Sequence, residues 1–131
     1  MRDYQRKRNN KYILPNAVYN KTIWQIRDYN RLKDQLNDLA DTSAAIDYAR
    51  DKVQTSVNTD ATLNAAMRYS HVHDICKVIE TAKEDMPEEY RTGVWNNILY
   101  YMPYPLDADR STYGRIKSRF IYEVATALEY I

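Results

Sequence analysis

His71, His73, Asp74 and Cys76 fall within six consecutive residues and supply the donor types of a transition-metal site. On a helix, however, His71 and His73 project about 200° apart and cannot share one ion. Neither a His-Glu-x-x-His spacing nor a Cys-x-x-Cys pair accompanies them. The pattern reads as one half-buried and one surface histidine, with no metal expected. Glu84, Asp85, Glu88 and Glu89 could gather a cation, yet carboxylates at a helix start account for the same cluster. Nucleophilic catalysis needs an activated Ser or Cys beside a base, and a phosphate cradle needs a glycine-rich loop. With glycine only at Gly93 and Gly114, no P-loop or dinucleotide fingerprint can be written. The expectation is a protein that is not an enzyme and takes no cofactor.

Binding chemistry has better material. Arg6, Lys7 and Arg8, with Arg2 and Lys11 close by and Tyr4 and Tyr12 flanking, form a cationic cluster near the start of the chain. Such a segment can lie along phosphates or enter a minor groove, gaining affinity by counterion release. A solvated terminus accounts for the same residues. Farther on, at about 100° per residue, Ser111, Arg115, Ser118 and Tyr122 share one polar helical face, with Thr112 and Arg119 beside it. In a helix-turn-helix, the second helix carries such residues to base edges and phosphates, and an arginine can grip guanine through two hydrogen bonds. An ordinary solvated face has the same pattern. Thirteen tyrosines stand against one phenylalanine. Tyrosine suits surfaces where a ring packs while its hydroxyl stays hydrated. Most fall at core spacings, leaving Tyr100, Tyr101 and Tyr104, with Trp95, as the aromatics expected at an interface.

The elements that position these residues follow from composition and period. The chain has 131 residues, two glycines, four prolines and one cysteine. That length fits one domain, and so little glycine favours helices over turn-rich β architectures. One cysteine allows no internal disulfide, which points to an intracellular setting. No apolar run approaches the ~18 residues a membrane span needs, and no apolar stretch follows the basic start, so neither membrane insertion nor secretion is expected. A net charge of +1 conceals an uneven distribution. Residues 1–33 carry nine Lys/Arg and two Asp/Glu, residues 34–89 five and twelve, and residues 90–131 five and four. The basic segment calls for an anionic partner, nucleic acid first, or for pairing with the acidic middle.

Residues 1–14 have no regular period and read as a basic arm. Pro15 and Asn16 then start a long helix over 15–40, apolar at Tyr19, Ile23, Ile26, Tyr29, Leu32, Leu36 and Leu39. Residues 41–60 read as a variable connection with a short helical turn around 44–53. A second helix starts at Thr59 or Asp60 with an apolar face at Val72, Ile75, Ile79 and Ala82, while Leu63, Ala66 and Met67 fall out of phase. Pro87, Glu88 and Glu89 open a third helix, apolar at Tyr90, Val94, Ile98 and Tyr101, which Pro103 and Pro105 stop. A last helix begins near Asp109 or Ser111 and continues through Ile116, Phe120, Val124, Leu128 and Ile131. The expected fold is all-α, one helical domain over 1–131 with four main helices, residues 61–131 being its helical C-terminal part.

The segments Met86-Pro87-Glu88-Glu89-Tyr90-Arg91-Thr92-Gly93-Val94-Trp95-Asn96-Asn97-Ile98, Tyr104-Pro105-Leu106-Asp107-Ala108 and Ser111-Thr112-Tyr113-Gly114-Arg115-Ile116-Lys117-Ser118-Arg119-Phe120 carry a resemblance. They resemble small prophage proteins similar to the RinA/ArpU-type phage late-operon transcription regulators. Arg2-Asp3-Tyr4, Leu14-Pro15 and Ile26-Arg27-Asp28-Tyr29 match the same group, so the likeness spans most of the chain outside residues 41–60. It implies a C-terminal half like the helix-turn-helix of sigma factor region 4. Residues 87–101 would then be the supporting helix, residues 105–108 a short middle turn and Ser111, Thr112 and Tyr113 the start of the recognition helix. Arg115 and Arg119 would lead the DNA contacts, with Lys117 at a phosphate. The middle segment is short for a full motif and Gly114 weakens the first turn of the second helix, so the helix-turn-helix is a reduced one. The function implied is a sequence-specific, duplex-DNA-binding phage transcriptional regulator in the host cytoplasm. Its DNA-binding residues would be Arg6, Lys7, Arg8, Ser111, Thr112, Arg115, Lys117, Ser118, Arg119 and Tyr122. Host RNA polymerase and a second copy of the chain are further candidate partners. The alternative is a non-enzymatic helical module for protein interaction, phage assembly or packaging.

Overall fold

Pro15, Pro87 and Asp109 each stand immediately before a helix, in extended backbone with ψ near 140°. The computed structural model describes residues 4–8, 10–52 and 59–131, with side chains described outside 41–62. The described residues form five helices: α1 (Asn16–Arg27), α2 (Tyr29–Lys52), α3 (Thr59–Asp85), α4 (Glu88–Tyr100) and α5 (Arg110–Ala127). No strand occurs among them, and the fold is all-α.

Five helices replace the four expected because the first long helix is interrupted at Asp28, at φ −81° and ψ −3°. The apolar spacing runs unbroken through Ile26, Tyr29 and Leu32, and neither proline nor glycine marks the interruption. The connection expected over 41–60 is helical to Lys52 and resumes as helix at Thr59. Its alanines and arginine favour helix without supplying an apolar stripe, so periodicity alone misses it. Residues 53–58 lie outside the described residues.

The chain divides into two compact units, Met1–Asp28 with Val78–Ile131 in one and Tyr29–Lys77 in the other. In the second unit, Leu32 and Leu36 of α2 share an apolar cluster with Val72 and Cys76 of α3, flanked by half-buried Tyr29, Tyr69 and Ile75. Leu63, Ala66 and Met67, out of phase with that face, are exposed. Both histidines are exposed as well, which corrects the half-buried reading of His71. His73 stacks on Tyr69 with ring centroids 6.0 Å apart. Among the described residues no three His, Cys, Asp or Glu side chains gather as a metal site requires.

In the first unit α1, α4 and α5 pack against one another pairwise. Ile23 and Ile26 of α1, Val94 and Ile98 of α4, and Phe120, Ile121 and Val124 of α5 are almost wholly removed from water. Burial of each such side chain contributes roughly 1.5–3 kcal/mol relative to exposure. Trp95, expected at an interface, lies in this core with its ring against Phe120 at 6.4 Å. Arg91 closes the end of α3 by donating from Nη2 to the Glu84 and Met86 carbonyls at 2.9 and 3.1 Å. At the other end of the unit, α5 stops before Ile131, which is exposed. Glu129 adopts φ 61°, with its N–H on the Thr126 carbonyl at 3.1 Å and the Tyr130 N–H on that of Ala125 at 2.9 Å. That pair of bonds closes a helix C-terminus and ends the expected stripe.

The approach of α4 to α5 is set by Gly93. A Cβ there would lie 2.7 Å from Cε1 of Tyr113 and 2.9 Å from Cδ of Pro105, closer than carbon atoms pack. At Gly114 a Cβ would meet only the Arg6 guanidinium, at 3.2 Å, the far end of a flexible side chain. The two glycines should therefore respond differently to alanine, which is favoured over glycine in a helix by about 0.8–1 kcal/mol. Gly93→Ala adds an overpacking cost of about 1–3 kcal/mol and should lower stability, whereas at Gly114 the Arg6 side chain has only to yield by a few tenths of an ångström, so Gly114→Ala should cost less than Gly93→Ala. Urea denaturation of both variants measures the difference, and a Gly93→Ala protein as stable as the parent would contradict the close approach.

Candidate nucleic-acid interface

Over residues 4–8 and 10–14, the described part of the basic segment, side chains tie the chain into a loop. Leu14 is buried, and both of its backbone polar groups are taken by the Gln5 side chain. Nε2 of Gln5 donates to the Leu14 carbonyl at 2.7 Å, and Oε1 accepts from the Leu14 N–H at 2.6 Å. Inside this clamp Asn10 repeats the device on a smaller scale. Its Nδ2 donates to the Arg6 carbonyl at 2.6 Å and its Oδ1 accepts from the Tyr12 N–H at 2.9 Å, forming an Asx turn. The Tyr19 hydroxyl reaches the Tyr4 carbonyl at 3.3 Å. No helix or strand occurs over the described part of this segment, as its sequence leads one to expect.

The loop is fastened to the first turns of α5. Nη1 of Arg6 donates to the Ser111 carbonyl at 2.7 Å, and the same guanidinium passes over the bare Cα of Gly114. Tyr12 packs on Tyr122, about three turns farther along the same helix face, with centroids 5.4 Å apart. Lys11 stands over the Tyr12 ring at 5.3 Å. Asn10, Lys11, Tyr12 and Arg115 together line a cavity of about 400 Å³.

The residues expected to meet DNA therefore separate into groups. Lys7, Arg8, Ser111 and Arg115 are exposed, and Thr112 is half-buried beside them. Arg6 is half-buried and spent on the loop-to-helix bond. Arg119 is exposed but paired with Glu123, Nε to Oε1 at 2.8 Å, a contact that holds its pKa above the ordinary arginine value. Lys117 is half-buried and donates to Oδ1 of Asn97 at 2.8 Å, bracing α5 on α4. Tyr122 is half-buried against Tyr12. Ser118 is the clear departure, since at 8% exposure it belongs to the core. The buried arc of α5 is centred toward Ile121 and Ala125, so it takes in Ser118, and Ile116 is left half-exposed. Lys11 and Tyr12, expected beside the basic cluster, join the interface together with Asn10, which the sequence reading did not single out and whose signal is a turn-forming residue next to Lys11 and Tyr12.

Before α5, the connection carries an aromatic stack. The Tyr104 ring lies parallel to that of Tyr113 at 5.0 Å and 10°, and Tyr90 meets Tyr113 edge-on at 5.3 Å. The Tyr113 hydroxyl donates to Oδ1 of Asp107 at 2.6 Å. Burial pushes the Tyr104 phenol up in pKa, against the opposing charges of Arg110 and Arg6. Tyr113, taken by the resemblance as part of a recognition-helix start, is fully buried. Residues 104–108 make turns without a helix. Tyr101 takes φ 56°, and Tyr100, Tyr101, Met102 and Leu106 remain exposed. A cavity of about 460 Å³ opens among Tyr101, Met102, Tyr104, Leu106 and Arg110. Arg27 donates to the Ile98 carbonyl at 2.7 Å while lying over the rings of Trp24 and Tyr101 at 4.9 and 4.4 Å.

No family model, curated protein or solved structure matches the chain. Among the described residues no helix is long and apolar enough to cross a membrane.

The Asp107 contact makes the aromatic stack sensitive to alkali. Its hydrogen bond to Asp107, followed by burial and the carboxylate charge, pushes the Tyr113 phenol up to about 12. An unfolded tyrosine ionises near 10. Between those values the unfolded chain has lost a proton that the fold retains, so this contribution to stability is full below about pH 10 and declines toward pH 12. Denaturation midpoints measured across that range should fall more steeply for the parent than for Tyr113→Phe. Parallel profiles would eliminate the Tyr113–Asp107 bond as the cause.

Proposed function

We propose that the chain binds duplex DNA through the surface formed by the basic loop and the exposed face of α5, and that it acts as a non-enzymatic transcriptional regulator of phage type in the host cytoplasm. The observation that carries this reading is the bond from Arg6 to the Ser111 carbonyl. It fastens the segment bearing exposed Lys7, Arg8 and Lys11 to the helix bearing exposed Arg110 and Arg115. Cations joined on a fixed surface neutralise phosphates at a lower ordering cost than a free terminus. The resemblance to late-operon regulators supports the same reading, with the α4–α5 pair standing for a reduced helix-turn-helix and host RNA polymerase as a further partner. Within it Lys7, Arg8 and Arg115 contact DNA directly, Arg119 does so by exchanging its Glu123 partner for a phosphate, Ser111 and Thr112 lie at the helix start, and Arg6 and Lys117 position the surface.

A second reading rests on a separate observation. Tyr100, Tyr101, Met102 and Leu106 expose apolar surface beside a cavity, and Leu106 is wholly solvent-exposed. Contiguous exposed apolar residues suit a protein partner. A helical interaction module, including one that pairs two copies of the chain, would use that surface.

Fluorescence anisotropy separates the two. Purified protein is titrated into labelled random duplex and into a pool of phage intergenic duplexes, each at several salt concentrations. The expected result is preference for some intergenic sequences, with log affinity falling against log salt at a slope of about −4, the value for four or five phosphate contacts. A folded protein that binds neither duplex at low salt overturns the DNA reading. Concentration-dependent elution in size exclusion that Leu106→Asp abolishes would then favour the interaction module.

A further inference from the structure

We propose that Lys11 and Arg115 form a phosphate-binding site, with Asn10 and Tyr12 shaping it, and that its ligand is one phosphodiester of the DNA backbone. The identity of that source rests on the DNA reading above; the phosphate chemistry follows from the cavity itself. The cavity of about 400 Å³ is lined by Lys11, Arg115, Tyr12 and Asn10, with no acidic residue among them.

The state of the neighbouring cations makes this pair distinctive. Arg119 is neutralised by Glu123, Lys117 is held by Asn97, and Arg6 is bonded to the carbonyls of Ser111 and Arg8. Lys11 and Arg115 make no hydrogen bond or ion pair among the described residues, although both line the same opening. Two like charges facing one cavity repel unless an anion lies between them, and a phosphate oxygen pair matches both a guanidinium fork and an ammonium.

The opening is also built in advance. Asn10 spends its amide on the Arg6 carbonyl and the Tyr12 N–H, so it is a positioning residue that fixes the Lys11 backbone. Tyr12 is held from behind by Tyr122 and presents its ring under Lys11. Loop and helix thus meet the ligand from two sides, and little further ordering is required on binding. Assigned to a phosphate, Arg115 fixes the register of α5 on the duplex and reads no base.

The test combines salt dependence with a direct phosphate titration, using Lys11→Ala, Arg115→Ala and the double variant with folding verified by circular dichroism. On duplex DNA each single variant should weaken binding by a similar factor on all sequences and make the salt slope shallower by about 1. The double variant should lose less than the product of the two singles, because both side chains serve one phosphate. In parallel, inorganic phosphate titrated into the parent should shift the backbone NMR signals of Lys11, Tyr12 and Arg115, and should not do so in the double variant. If Arg115→Ala alters sequence preference at an unchanged slope, Arg115 reads a base and the site is overturned. If the parent binds DNA and both variants bind identically, the site falls while the DNA reading stands. If the parent binds no DNA yet phosphate shifts those signals, the site stands and DNA falls as its source. No response to either ligand overturns both.

Discussion

Ring carbons of Tyr113 and Pro105 occupy the space where a side chain at residue 93 would begin, and this close approach governs the rest of the α4–α5 region. Because α4 yields that space, Tyr113 can be buried completely and still reach Asp107 with its hydroxyl. Tyr104 then stacks on one face of the Tyr113 ring while Tyr90 meets its edge. The connection between the helices has no regular hydrogen-bond pattern of its own, and it is held by these ring contacts, by the Asp107 bond and by the Asn97 side chain donating to the Met102 carbonyl at 2.8 Å. They fix where α5 starts. The placement of Arg115 and Arg119 on the surface, roughly one helical turn apart, follows from that start.

The second glycine serves a different neighbour. Gly114 leaves room for the Arg6 side chain against the first turns of α5, and Arg6 carries the basic loop with it. Ordering a backbone residue costs about 1–2 kcal/mol, so the described part of this loop needs compensation. Here it comes from the burial of Leu14 and from side chains that satisfy backbone groups, two from Gln5 and two from Asn10. Glutamine and asparagine act in place of the regular ladder that the segment lacks. A loop already closed in this way presents its cations without a further entropy loss on meeting a ligand.

Much of the helical framework was legible in the sequence because its signals are local. Pro15, Pro87 and Asp109 stand at helix starts, and the three- and four-residue spacing of Tyr19, Ile23 and Ile26, or of Val94 and Ile98, selects the buried face. The interruption at Asp28 was illegible because the apolar period passes through it without a breaker residue. The continuation of α2 through residues 41–52 was missed for the opposite reason, a helix-compatible composition without an apolar stripe. On α5 the helix was found and its orientation misjudged by a small rotation, enough to bury Ser118. At the site, Arg6 was visible as a cation, but its acceptor lies 105 residues away on a backbone carbonyl, and no local pattern encodes that bond. The DNA role assigned to the surface rests on the resemblance and the charge, independently of the fold class.

Charge counting along the chain gives every lysine and arginine the same weight, and the structure removes that equality. Arg27 is committed to the Ile98 carbonyl and two aromatic rings, Arg91 to the end of α3, Arg119 to Glu123 and Lys117 to Asn97. Each of these cations stabilises the fold, and an external anion would have to compete with an internal acceptor for it. Arg6 is committed too, and its bond to the Ser111 carbonyl ties the segment bearing Lys11 to the helix bearing Arg115, the two residues lining one cavity. In the reading proposed above, an anion would meet an interface organised by these engaged cations and charged by Lys11 and Arg115, which hold no hydrogen-bonded or ionic partner among the described residues. Substituting an engaged cation disturbs geometry as well as charge, while substituting Lys11 or Arg115 changes charge at a surface that other bonds keep in place. The separation between these two classes of cation is the physical reason that the net charge of +1 says little about where this chain would attract an anion.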